Sequence, residues 1–213
     1  MGRTQGIHIV STTYGTWLPG DPSKRGHWSE LYDLYGRVRK SGGRFHEPNE
    51  ETFHFARDRM AGEAMEFDER DRDIVVQSFR ENITGWSCGG EKALRGEVEK
   101  SPTEVGAIYG EGLCGDLYPR CRVLALAVER THFHLLIGPL QESVGRFVGR
   151  LKGRSASDVL ERSCHVNRNK VWTKGYWKVF LYDDLGMEVV RAYIEEHNLR
   201  GGLGLNPYRD WVG

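Results

Sequence analysis

Apolar positions along this chain recur with two periods, and each change of period marks an element. Residues 6–14 are rich in β-branched side chains and stop at Gly15, the pattern of a strand. From 68 to 86 the spacing becomes helical, with Ile74, Val75, Phe79 and Ile83 on one side and Asp68 placed to cap the start. Two strand patterns follow, 121–128 and 132–137, joined by a turn at Glu129-Arg130-Thr131. Residues 143–159 read as a helix with Val144, Phe147, Val148 and Leu151 on its apolar face. Residues 176–182 form a fourth strand, and 186–198 a closing helix that turns Val189, Val190 and Ile194 inward. Between these lie a Pro- and Gly-rich loop at 17–28, short helical patches at 29–35 and 50–60, a polar loop at 167–174 and a Gly-rich tail from 201.

Strand, helix, strand, strand, helix, strand, helix is the order of a ferredoxin-like α+β fold, an antiparallel sheet with helices packed on one face. The length of 213 residues supports one well-buried core, so 1–213 is read as a single domain. The Gly-, Glu- and Lys-rich stretch at about 87–120 is an extended insertion before the second strand.

Composition narrows the classes. With 38% hydrophobic and 28% charged residues, and no apolar run near the length of a membrane span, the expectation is a globular protein without a membrane partner. The N-terminus lacks a signal-peptide pattern, which points to the cytoplasm. Cys88, Cys114, Cys121 and Cys164 are irregularly spaced, the pattern of free thiols rather than a zinc knuckle. The formal net charge is zero, yet residues 141–180 carry a local excess of about +6. Arg146, Arg150, Lys152 and Arg154 lie on one predicted helix and Lys174 beyond it, a distribution suited to a phosphate backbone. Trp17 and Trp172, set among Gly, Pro and Lys, are candidates to stack on unpaired bases, with Tyr14 and Tyr176 as further ones.

Chemistry concentrates in His132-Phe133-His134. Side chains alternate along a strand, so the two imidazoles share a face while Phe133 joins Leu135 and Ile137 on the other. Two neutral imidazoles are most of a divalent-metal site. On the last helix Tyr193 and His197 are four residues apart and share a face, so a helix packed beside the histidine strand would bring a phenol and a third imidazole to the pair.

These residues resemble the single-tyrosine HUH transposases, the insertion sequence 200-like group and its REP-associated tyrosine transposase relatives. The resemblance rests on the opening Thr12-Thr13-Tyr14-Gly15-Thr16-Trp17-Leu18-Pro19-Gly20-Asp21-Pro22, on Thr131-His132-Phe133-His134-Leu135-Leu136-Ile137, on Leu151-Lys152 and its basic helix, on Val171-Trp172-Thr173-Lys174-Gly175-Tyr176-Trp177, and on Tyr193-Ile194. It implies an HUH endonuclease fold in which His132 and His134 ligate Mg²⁺ or Mn²⁺ and Tyr193 is the nucleophile. The third ligand position, commonly Gln or Asn in this family, is His197 here, a departure that leaves open which metal is native. The implied activity is cleavage and rejoining of single-stranded or hairpin DNA through a 5′-phosphotyrosine, by a homodimer. The alternatives are a domesticated, non-catalytic DNA- or RNA-binding protein on the same scaffold, and a metallohydrolase using the three histidines.

Overall fold

The computed structural model describes residues 3–18, 21, 49–84, 122–163, 165, 169–204 and 207. The expected helical patch at 29–35, the insertion at 87–120 and most of the 17–28 loop lie outside these residues.

Four strands, β1 (Gly6–Thr12), β2 (Val123–Val128), β3 (His132–Ile137) and β4 (Trp177–Leu181), make one sheet in the order β2-β3-β1-β4. The paired strands all run antiparallel. Four helices accompany them among the described residues: α1 (Glu50–Asp58), α2 (Glu69–Thr84), α3 (Val144–Arg162) and α4 (Asp184–Arg200). None of these helices is long and apolar enough to cross a membrane. The α+β class and the element order match the expectation, and α1 falls on the helical patch expected at 50–60.

Helix starts follow the capping chemistry that the sequence supplies. Asn49 accepts from the Thr52 amide at 2.8 Å and Asp183 from the Gly186 amide at 2.7 Å. Asp68 and Asp71 cap α2 reciprocally, each side chain accepting from the other's backbone N–H.

The register assigns every strand residue to a face. Ile7, Ile9, Phe133, Leu135 and Ile137 point to one side, where Ile74, Val75 and Phe79 of α2 and Phe147, Val148 and Leu151 of α3 complete the larger core. His8, His134 and Leu136 point to the other, with Ala125, Ala127, Val179 and Leu181, and here α4 packs through Val190 and Ile194. The expectation of helices on one face therefore holds for α2 and α3, while α4 lies on the opposite face. The reason is in β3 itself: the same alternation that buries Phe133 under α2 presents the histidines to the other side. Small side chains on β2, Ala125 and Ala127, let α4 approach closely, and Gly6 does the same on β1, where a Cβ would collide with Met187.

Candidate active site

β3 carries His132 and His134 to the face that α4 covers, and α4 brings Tyr193 and His197 onto it. The three imidazoles converge, with one ligand nitrogen from each lying within 4.8 Å of the others. Ring centroids are 4.6 Å apart for His134 and His197, 4.8 Å for His132 and His134, and 5.9 Å for His132 and His197. The Tyr193 ring stands edge-on to two of them, 5.2 Å from His134 and 4.7 Å from His197. The expected constellation is thus assembled within one chain.

Each imidazole is held from behind through Nδ1. The Glu129 carboxylate accepts from His197 at 2.6 Å, Thr131 Oγ1 lies 3.1 Å from His132 Nδ1, and His8 Nε2 lies 3.2 Å from His134 Nδ1. This arrangement fixes the rings and aims their Nε2 atoms inward, as outer partners of metal-bound histidines do. The Nε2 atoms of His134 and His197 are buried and have no hydrogen-bond partner among the described residues. Buried ring nitrogens are rarely left unsatisfied, and three imidazoles that can each offer a nitrogen within 4.8 Å of the others fit a divalent cation of borderline character.

Electrostatics agree with neutral imidazoles at His8 and His134. Burial pushes His8 down to about 3, helped by positive charge on His197. Burial likewise holds His134 well below the ordinary histidine range, with the charges of His8, His132, His197 and Arg200 adding to it. Glu129 is lowered, chiefly by its hydrogen bond from His197 and against the opposing effect of its own burial, so it stays ionised behind the site.

Two of these groups, His8 and Glu129, were not singled out from sequence. His8 is one residue in an apolar strand, and only the β1–β3 register shows that it lies diagonally beside His134. Glu129 carried a readable signal, an acid in the hairpin turn directly ahead of the histidine pair.

The DNA-contact candidates lie mainly on α3, across the sheet from the histidines. Arg146 is exposed. Arg150 bridges Glu142 and Asn82, each at 2.7 Å. Lys152 is half-buried and donates to the carbonyls of Thr173 at 2.5 Å and Gly175 at 2.7 Å, and burial lowers it to about 8. Arg154 pairs with Asp158 at 3.2 Å, and Lys174 is exposed. Trp17 is half-buried. Trp172 departs from its expected role as a base-stacking platform: it is buried against Phe67, Phe79 and Phe133, its indole N–H donating to Ser155 Oγ at 3.0 Å. A bridge to Thr13 carries it inward. Beside it, Gly145, Gly149, Lys152, Lys170 and Lys174 line a groove of about 390 Å³.

Residues 116–197 match the family described as Transposase IS200 like. Among solved structures, the chain is similar to a REP-associated tyrosine transposase bound to a REP hairpin, with a TM-score of 0.40 and 8% identity over 95% of this chain and 72% of that one. It is also similar to a proposed transposase from Deinococcus radiodurans R1, with a TM-score of 0.33 and 15% identity over 92% of this chain and 93% of that one. No curated protein matches. The matched segment runs from before β2 through the histidine pair to His197, and so contains the three histidines and Tyr193 but not His8.

Proposed function

We propose that this chain, acting as one domain, is a transposase that cleaves and rejoins single-stranded or hairpin DNA through Tyr193. The observation that carries the proposal is the Tyr193 ring set against two of three converging imidazoles, 5.2 and 4.7 Å away, in a single chain. His132, His134 and His197 would hold one divalent cation, Mg²⁺ or Mn²⁺. When bound, such a cation withdraws charge from the non-bridging oxygens of a phosphodiester.

Tyr193 supplies the nucleophile. A phenol is a weak nucleophile at neutral pH, so it must be positioned against the phosphorus and give up its proton as the bond forms. Its oxygen attacks the phosphorus, the bond to the 3′ oxygen breaks, and that oxygen takes up a proton. The products are a 5′-phosphotyrosine and a free 3′-hydroxyl. Attack by a 3′-hydroxyl on the phosphotyrosine reverses the step and rejoins DNA without a nucleotide cofactor. Glu129 keeps His197 oriented throughout, and exposed cations such as Arg146 and Lys174 would neutralise the bound backbone. A homodimer in the cytoplasm is the form in which this reading places the chain.

The test uses Mn²⁺ and a 3′-labelled single-stranded or hairpin substrate from the flank of the gene. Wild type should form a denaturation-resistant protein–DNA adduct. Tyr193→Phe should abolish it while Mn²⁺ and DNA binding stay within about twofold, since only a hydroxyl is removed. An adduct from Tyr193→Phe at the wild-type rate overturns the assignment. Cleavage with no adduct in either protein would favour a metallohydrolase, and DNA binding without cleavage a non-catalytic binder.

A further inference from the structure

We propose that His8 is a positioning residue for His134, its Nε2 taking the Nδ1 proton of His134 and so fixing the tautomer whose Nε2 lone pair faces the cluster. The inference rests on the reading of His134 as a metal ligand and adds a residue that lies 126 positions away in sequence.

Geometry carries the assignment. His8 Nε2 and His134 Nδ1 are 3.2 Å apart, and both residues are buried, His8 at 0% and His134 at 4% exposure. The rings stack at 24° with centroids 5.4 Å apart, and Trp177 stands edge-on behind His8 at 5.4 Å. β1 is an interior strand, paired on one side with β3 and on the other with β4, so its backbone cannot carry His8 away from this contact.

Proton counting then leaves one arrangement. A neutral imidazole has one N–H and one lone pair. If His134 offers its Nε2 lone pair inward, its proton is on Nδ1 and must be donated to His8 Nε2. The proton of His8 is then on Nδ1, which is buried and has no hydrogen-bond partner among the described residues. An unsatisfied buried N–H is costly, and tolerating it is intelligible if the other nitrogen is needed as an acceptor. An imidazole suits the position because it accepts without adding charge, whereas a carboxylate there would be buried among apolar strands. His197 takes its orientation from a carboxylate at the rim, His134 from a neutral ring in the interior.

The experiment uses the full chain labelled with ¹⁵N-histidine, free of metal, followed by Mn²⁺ titration. In wild type, long-range ¹H–¹⁵N correlations should show the His134 proton on Nδ1. His8→Gln, whose amide oxygen can accept, should keep that tautomer and bind Mn²⁺ within a few-fold of wild type. His8→Leu should redistribute the proton onto Nε2 and weaken Mn²⁺ binding by about 10- to 100-fold, the usual cost of losing an outer partner. A wild-type proton on Nε2, or an unchanged tautomer and affinity in His8→Leu, overturns the proposal. If wild type binds no Mn²⁺ but the tautomer still follows residue 8, the ligand reading fails while the role of His8 in setting the tautomer stands. Should His8→Leu fail to fold, loss of the Nδ1 proton signal in a folded His8→Gln would overturn the proposal.

Discussion

Lys152 shows how a residue's surroundings decide its work. On the sequence it belongs to a basic helix suited to phosphates, but in the fold its ammonium spans from α3 to the carbonyls of Thr173 and Gly175. Those carbonyls lie on the segment that also carries Trp172 into the core and leads into β4. Lys152→Met keeps a stem of similar length and removes the donor. We expect it to cost about 1–3 kcal/mol in chemical denaturation, since partly buried carbonyls lose a charged donor. The salt dependence of DNA binding should stay as in wild type, because the ammonium is already occupied. A stable variant with a flattened salt slope would instead make Lys152 a phosphate contact. Trp172 follows the same logic: its Lys and Gly neighbours suggested exposure, and the hydrogen bond from its indole to Ser155 together with three facing aromatics spends it on packing.

Elements were legible where one period runs long enough to be read alone. β3 is the clearest case: alternation correctly grouped His132 with His134 and Phe133 with Leu135, and helical spacing put Tyr193 and His197 on one face. What alternation cannot supply is which strand lies alongside. That is why His8 went unseen, and why α4 was not assigned its own face of the sheet. The closing helix is then held by features that only the packed state displays. Asn198 is buried and its side-chain amide donates to the Leu126 carbonyl of β2 at 2.9 Å, one residue beyond His197. Asn198→Ala should lower the unfolding free energy by about 1–3 kcal/mol, because a buried carbonyl loses its donor. It should also weaken Mn²⁺ binding several-fold by loosening His197, with Tyr193 and all three histidines unchanged. Calorimetry of the folded variant checks this, and loss of stability with full metal affinity would mean that Glu129 alone suffices to place His197.

At the scale of the molecule the sheet is a partition. Histidines and tyrosine occupy the face under α4, and the cations of α3 occupy the other, so the +6 excess in residues 141–180 does not surround the site. Part of that charge is spent internally, on Glu142 by Arg150 and on the nearly buried Asp158 by Arg154. Arg146 and Lys174 are exposed, and Lys174 borders the glycine-lined groove of α3. If DNA engages this face as well as the histidine face, removing these two charges should act on the backbone alone. Arg146→Gln with Lys174→Gln should weaken single-strand binding. It should lower the slope of log affinity against log salt by roughly 0.7 for each phosphate left without its cation, while Mn²⁺ affinity remains that of wild type. Neither residue neutralises a buried acid in the described structure, so the double variant should melt near wild type, unlike one lacking Arg154, which would strand Asp158. An unchanged slope alongside intact adduct formation would confine DNA to the histidine face and make the charge of α3 a matter of solubility.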